Sequence, residues 1–268
     1  MKLKIYSNEN KETGSIEMPN QFKEDIRTDL IKKAVQVIQA NRRQPYGADP
    51  RAGKKTSAEL SRKRRDYKTS YGHGISRVPR KILSGRGSRF NWVGAFAPGT
   101  VGGRRAHPPK AEKIWTKKMN TKERRKAIRS AMSATLIKDL VQKRGHKIPE
   151  NYPFIIDSSI ENLKKTEEVK KLLTSLGFEE ELQRTSERKV RPGKGKMRGR
   201  RYKNKVGPLI VVSGPCELHK SARNIQGINV RSVKSINAEL LAPGTECGRL
   251  TLWTKSAIDM IEKENLFI

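Results

Sequence analysis

Three stretches of this 268-residue sequence contain residue types that catalysis could use. Gly47 to Ser57 (GADPRAGKKTS) resembles a phosphate-binding loop, but five residues rather than four separate its glycines, and Lys55 stands where that motif needs Ser or Thr. Cys216 and His219 are spaced like a nucleophile and its base, yet no third residue is evident to orient them. Asp157 ends a predicted strand, where a solvated strand end or a helix cap explains it better than catalysis does. The sequence therefore predicts a protein that is not an enzyme.

Metal and cofactor chemistry is not predicted either. The four histidines (His73, His107, His146 and His219) have no metal-ligand spacing, and Cys216 and Cys247 form no CxxC pair. Two isolated cysteines are typical of reduced thiols in a cytoplasmic protein. The first ten residues, MKLKIYSNEN, lack the apolar segment of a secretory signal. No apolar run approaches the roughly 18 residues of a membrane-spanning helix.

The chemistry that the composition does favour is the binding of a polyanion. The formal net charge is +32, whereas only 34% of the residues are hydrophobic. From Tyr67 to Ala111 there is no Asp or Glu, and Arg188 to Lys205 is more than half Lys or Arg. A merely solvated surface would mix the two signs of charge. Nucleic acid is the expected partner, because its dense phosphates release counterions when Lys and Arg bind them.

Folded RNA is favoured over DNA by the stretch from Ser84 to Pro109, SGRGSRFNWVGAFAPGTVGGRRAHPP. It is rich in Gly, Pro and Arg, so no helix is expected, yet Phe90, Trp92 and Phe96 lie in its middle. Crevices in folded RNA admit irregular segments, and exposed bases stack on aromatic side chains. No helix-turn-helix, zinc finger or basic zipper appears. We therefore predict RNA contacts from basic residues of both tracts and their flanks: Arg42, Arg43, Arg77, Arg80, Lys81, Arg86, Arg89, Arg104, Arg105, His107, Lys110, Arg124, Arg125, Arg129, Arg188, Lys189, Arg191, Lys194, Lys196, Arg198, Arg200, Arg201 and Lys203.

The elements that must position these residues alternate between strands and helices. Strands are predicted at Leu3 to Ser7, Pro153 to Asp157, Gly207 to Ser213, Ile228 to Val233 and Arg249 to Thr254. Helices are predicted from Phe22 to Ala40, from Asn120 to Gly145 with Asn120 and Glu123 as a capping box, from Lys165 to Gly177 and from Ser256 to Phe267.

This order predicts an α/β fold, a single Rossmann-like three-layer domain with a mainly parallel sheet, plus a long irregular extended internal loop. The predicted boundaries are 1–44 for the first part of the globular domain, 45–115 for the extended basic loop and 116–268 for the remainder, with a basic loop at 188–205. Neither helical nor strand periodicity persists from Tyr67 to Ala111, so no regular structure is expected there.

Several long motifs resemble one family along the whole chain. They are Asp29 to Gly47, Gly72 to Arg80, Gly102 to Lys113, Lys122 to Thr135, Ala222 to Val230 and Leu241 to Ile258. In these stretches the sequence is similar to the ribosomal protein L-four family of the large subunit, in its archaeal and eukaryotic form.

The resemblance implies a structural constituent of the large ribosomal subunit in the cytoplasm, which binds large-subunit (23S) rRNA early in assembly. It implies that the long loop helps to form the constriction of the polypeptide exit tunnel, opposite a protein of the L-twenty-two family. Neighbouring ribosomal proteins and the nascent peptide would be its other partners, with no membrane and no homo-oligomer. The implied tunnel residues are Gly72, Gly74, Arg77, Phe90, Trp92 and Phe96, with the tip between Arg77 and Phe96.

Two other classes of protein stay open on the residues alone. An α/β RNA-modifying enzyme with basic RNA-binding arms would need a cofactor site, which no glycine-rich strand-turn-helix supports. A chaperone or DNA-compacting protein would not sediment with large ribosomal subunits after a high-salt wash.

Overall fold

A mainly parallel sheet organises the larger part of the molecule in the computed structural model, which describes residues 1–268. The strands of the whole chain are β1 Lys2–Tyr6, β2 Glu12–Glu17, β3 Arg80–Arg86, β4 Arg89–Gly94, β5 Ile155–Ile156, β6 Lys189–Val190, β7 Tyr202–Lys203, β8 Leu209–Val212, β9 Asn229–Ser232 and β10 Thr251–Thr254. Six of them form the main sheet in the order β2-β1-β5-β10-β8-β9. Only the edge pair β1–β2 is antiparallel. The predicted α/β class and mainly parallel sheet are confirmed, whereas the Rossmann-like character stays a prediction.

Eight helices accompany these strands: α1 Thr28–Asn41, α2 Thr121–Thr135, α3 Lys138–Lys143, α4 Thr166–Ser175, α5 Glu179–Ser186, α6 Leu218–Ser221, α7 Ala238–Leu241 and α8 Lys255–Lys263. The single helix predicted from Asn120 to Gly145 is wrong, because it ends at Thr135 and a new helix begins at Lys138. Asn120 does occupy the N-cap position, but its side chain makes no capping hydrogen bond. Glu123 instead forms an ion pair with Lys33 of α1, at 2.6 Å, so the predicted capping box is replaced by a bond between helices.

Both faces of the sheet are covered, as the apolar run in β8 predicts. Leu209 and Val211 belong to one hydrophobic cluster, and Ile210 and Val212 belong to the other. Successive side chains of a strand point to opposite faces, so the two clusters lie on opposite sides of the sheet. The first cluster includes residues of α1, α2, α7 and α8, and the second includes residues of α4.

The chain divides into two compact units, one formed by Met1–Arg42 with Thr116–Ile268 and the other by Arg43–Trp115. The second unit, which we call the arm, contains no residue of either hydrophobic cluster. The expectation that no regular structure occurs between Tyr67 and Ala111 is wrong at β3 and β4, which pair as an antiparallel hairpin. Alternation in RFNWVG places Phe90 and Trp92 on one face, and Gly87, at φ 60°, makes the turn. The alternating pattern of β4 is difficult to recognise in the sequence because the strand is only six residues long.

The second basic tract, 188–205, also has structure of its own. The short strands β6 and β7 pair antiparallel, and Lys194–Arg198 forms a 3₁₀ turn between them. The ion pair Glu187–Lys205, at 2.7 Å, ties the two ends of the tract together. The tract therefore leaves α5 and returns to β8 as a closed ribbon.

Candidate nucleic-acid interface

Unpaired positive charge is the main chemical feature of the surface. Thirteen of the predicted Lys and Arg contact residues form no ion pair, no side-chain hydrogen bond and no cation–π contact within the chain: Lys81, Arg86, Arg89, Arg104, Arg105, Lys110, Arg124, Lys189, Lys194, Lys196, Arg198, Arg200 and Lys203. Most of them are exposed. Cations without a carboxylate partner repel one another and attract a polyanion.

The structure gives other predicted residues an internal role. Arg42 pairs with Glu239 at 2.5 Å, and Arg129 pairs with Glu24 at 2.8 Å. Arg129 and Arg125 also donate to the backbone carbonyls of Phe267 and Ile268. Arg42 therefore links the end of α1 to α7, and Arg125 and Arg129 link α2 to the C-terminal residues, so less of their donor capacity is free for phosphate.

Within α2, only Arg124 of the predicted trio is exposed without an internal partner. It lies in the first turns of the helix, where the dipole is positive and an acid would be favourable. Arg124 is therefore the residue of this helix that is best placed for an external anion.

Two legs of the arm run side by side. The amide of Ala48 donates to the carbonyl of Pro109 at 3.0 Å, and a Cβ placed on Gly47 would lie 2.5 Å from the nitrogen of Ala111. A Cβ on Gly53 would likewise lie 2.5 Å from the Cα of Arg104. The glycines thus permit backbone approach that any side chain would prevent. This pairing presents Arg104 and Arg105 on one leg beside Gly53 on the other.

At the base of these legs four side chains form a group that we call the aromatic stack: Arg43, Tyr46, Lys113 and Trp115. The rings of Tyr46 and Trp115 lie 5.6 Å apart and only 17° from parallel. The Arg43 guanidinium lies 3.7 Å from the Trp115 ring centre, and the Lys113 ammonium lies 4.4 Å from it. Such distances are within the range of cation–π attraction.

A second aromatic group surrounds the hairpin. Phe90 packs edge-on against Tyr67 at 5.3 Å and lies 5.2 Å from Trp92. Arg80 lies 5.7 Å from the Trp92 ring and donates to the carbonyls of Ser76 and Val78, so it supports the hairpin from within the arm. Phe96, 36% exposed at φ 64°, stands apart from this group. The structure therefore brings Phe90 and Trp92 together but not Phe96.

Other predicted arm residues lie on turns. Gly72 and Gly74 both have positive φ, and nothing lies within 4 Å of where their Cβ atoms would be. Arg77 lies 4.7 Å from the ring of Tyr71 and is otherwise exposed. His107 is exposed as well. The backbone at Gly72 and Gly74 is therefore open to close approach.

In the ribbon 188–205, nearly every cation is exposed. Two cations are exceptions: Arg191 is half-buried and donates to the carbonyl of Arg200 at 3.2 Å, and Lys205 is half-buried in its ion pair with Glu187. Arg188 and Arg201 are exposed, the latter 5.7 Å from the ring of Tyr202. The ribbon therefore displays a dense row of cations on a backbone that its own hydrogen bonds hold.

Sequence reasoning missed two features of this interface. The run Arg62–Arg65 is basic and exposed, and its charge alone could have marked it. The aromatic stack had no such signal, because Tyr46 and Trp115 are far apart in sequence and meet only in the folded arm.

The residues first considered for catalysis do not form a site. Gly47–Ser57 follows no strand. Burial raises the pKa of the Cys216 thiol, which opposes its ionisation to a nucleophile. Asp157 caps the following turn by accepting from the amide of Ser159. None of the helices is long and apolar enough to cross a membrane.

Fold and surface together define a class: a mixed α/β protein that carries a strongly basic arm and a basic ribbon. A sequence profile described as the ribosomal protein L4/L1 family matches residues 16–264. The protein named large ribosomal subunit protein uL4 from Nanoarchaeum equitans is 49% identical over 268 residues, 100% of both chains. The protein of the same name from Methanosphaera stadtmanae is 44% identical over 97% of this chain and 96% of its own length. The one from Methanococcoides burtonii is 48% identical over 93% of both chains.

The chain belongs to the ribosomal protein L4/L1 family. It is therefore a structural constituent of the large ribosomal subunit, located in the cytoplasm as part of the ribosome, and not an enzyme. The predicted family, the absence of catalytic activity and the predicted location are confirmed. Membership also implies rRNA and other ribosomal proteins as partners.

Proposed function

We propose that the chain binds large-subunit rRNA early in assembly through the arm (43–115) and the ribbon (188–205). The observation that carries this proposal is the set of thirteen cations without an internal partner. The arm holds eighteen Lys and Arg residues against four Asp and Glu residues, and the ribbon holds ten against none. Phosphate is the anion that such a density of charge fits best, because each neutralised phosphate releases counterions. The domain that consists of 1–42 and 116–268 then anchors the arm.

The test is the salt dependence of rRNA binding in a variant with Arg104→Ala and Arg105→Ala. Both side chains lack an internal partner, so their loss should leave the fold unchanged. Each phosphate contact contributes about 0.7 to 0.9 to the slope of log K against log salt. We expect weaker binding to transcribed large-subunit rRNA and a slope that is flatter by about 1.5.

Arg42→Ala with Arg129→Ala is the matched control, because both of these arginines are engaged in internal ion pairs. That variant should change stability more than the salt slope. An unaltered slope in the Arg104/Arg105 variant would remove the proposed phosphate contacts.

We further propose that the segment from Gly72 to Phe96 helps to form the constriction of the exit tunnel, opposite a protein of the L-twenty-two family. The hairpin of β3 and β4 supports this, since its turn at Gly87 lies within the bracket from Arg77 to Phe96. Phe90, Trp92 and Arg77 would then present aromatic and charged surface to rRNA and to the nascent peptide. A photo-reactive group at position 92 of the assembled ribosome should label nascent chains, and a group at position 198 should not. Labelling from position 198 alone would contradict the placement.

A further inference from the structure

One ring of the aromatic stack, that of Tyr46, remains half exposed, and no contact within the arm covers the exposed part. Tyr46 is 50% exposed, although its ring lies nearly parallel to that of Trp115. A large apolar ring that stays half in water gains only part of the hydrophobic stabilisation that burial would bring. The exposed surface of Tyr46 is therefore open to a second flat group.

Charge around the stack favours an anion-bearing ligand. Arg43 and Lys113 both lie against the Trp115 ring, and neither forms an ion pair. Glu112, the neighbour of Lys113, forms none either. Two cations on one ring repel each other unless an anion lies nearby. A phosphate group close to both would remove that repulsion.

Closure of the legs does not depend on Tyr46. The hydrogen bond from Ala48 to Pro109 and the close approach of Gly47 to Ala111 already hold the backbones together. Trp115 is the more enclosed ring, since its Nε1 is shielded from solvent. Trp115 thus forms the floor of the stack, and Tyr46 forms its outer layer.

We infer that an unpaired nucleobase of rRNA stacks on the exposed face of Tyr46, with its phosphate between Arg43 and Lys113. This inference rests on the proposed rRNA-binding function. Aromatic side chains bind the π-face of any base, so the site selects for an unstacked base rather than for a particular sequence. Duplex RNA does not qualify, because its bases are stacked on one another.

The experiment compares Tyr46→Ala with Tyr46→Phe for binding to transcribed large-subunit rRNA over a range of salt concentrations. Removing a base–aromatic stack weakens binding by roughly 5- to 150-fold. We expect a loss in that range for Tyr46→Ala at every salt concentration, with an unchanged salt slope, and near-normal binding for Tyr46→Phe. Equal affinities of wild type and Tyr46→Ala would overturn the inference.

Ultraviolet cross-linking of the wild-type complex gives a second, direct readout. A cross-link between a nucleotide and the peptide that contains Tyr46 supports stacking even if Tyr46→Ala also loosens the legs. Cross-links to other arm residues with none at Tyr46 would overturn it. Failure of the broader proposal looks different, because then the Arg104/Arg105 variant would also keep the wild-type affinity and salt slope.

Discussion

Glu181 shows how a single buried residue positions the basic ribbon. Its side chain has no exposed surface, and it accepts from His146 Nδ1 and Arg184 at 2.7 Å and from the amide of Lys147 at 2.9 Å. Arg184 in turn donates to the carbonyl of Val206, where the ribbon returns to the sheet. Burial opposes ionisation of Glu181, but the hydrogen bonds from Arg184 and His146 hold its pKa below the usual range. Burial also lowers the pKa of His146, which favours a neutral ring that donates from Nδ1.

Replacing Glu181 with Ala should reduce the free energy of unfolding by about 3–5 kcal/mol, because it leaves the buried His146 ring and the half-buried Arg184 guanidinium without their shared acceptor. Urea unfolding followed by circular dichroism measures this. Glu180→Ala is the matched control, one residue away on the same helix and 78% exposed, and should change stability by less than about 0.5 kcal/mol. Similar losses in the two variants would show that the buried network does not stabilise the fold.

Among the elements, the arm departs most from what the sequence indicates. Composition predicts its charge and its glycine content, but β3 and β4 are short, and their pairing depends on the turn at Gly87. Between α2 and α3 the apolar pattern continues although the helix does not, and Ile137, which that pattern assigns to the apolar side, is 41% exposed at the break. In the arm the alternatives are a hairpin and irregular structure, and after α2 they are one long helix and two shorter ones. Hydrophobic periodicity does not distinguish between them, and tertiary packing does.

Gly53 offers a test of how the two legs of the arm pair. Gly53 and Gly102 have nearly the same φ, +71° and +72°, but only at Gly53 would a Cβ meet the opposite backbone. We expect Gly53→Ala to separate the legs and to speed hydrogen exchange at the amide of Ala48. Gly102→Ala carries a similar conformational strain, of about 1–2 kcal/mol, but has open space around it. Equal exchange in the two variants would mean that close approach at Gly53 does not hold the legs.

At the scale of the whole molecule, the hydrophobic core and much of the net positive charge lie in different parts of the chain. Both hydrophobic clusters consist of residues outside 43–115. Asn41 and Lys117 bind each other through two hydrogen bonds, at 2.9 and 3.3 Å, so the chain ends that flank the arm are adjacent. The arm carries fourteen of the 32 net positive charges, since it has eighteen basic and four acidic residues.

Replacing residues 43–115 by a short Gly-Ser linker should therefore leave the α/β core folded. Loop closure is inexpensive when the ends already lie together. We expect the far-ultraviolet spectrum and a cooperative thermal transition of the core to persist, while affinity for rRNA falls and its salt dependence weakens. Loss of the cooperative transition would show that the core needs the arm. Replacing 188–205 in the same way tests the ribbon as a second, independent source of affinity.

By itself, the sequence determined the class of the fold and the family. It also determined the strong positive charge that predicts a polyanionic partner. These follow from hydrophobic periodicity, net charge and long motifs, which are local or additive properties. Only the tertiary structure decided which cations are free and which are engaged, because Arg42 and Arg129 meet their acids through folding. It also decided that Tyr46 and Trp115 share one stack. Such contacts join residues far apart in the chain, and no local pattern encodes the geometry that brings them together.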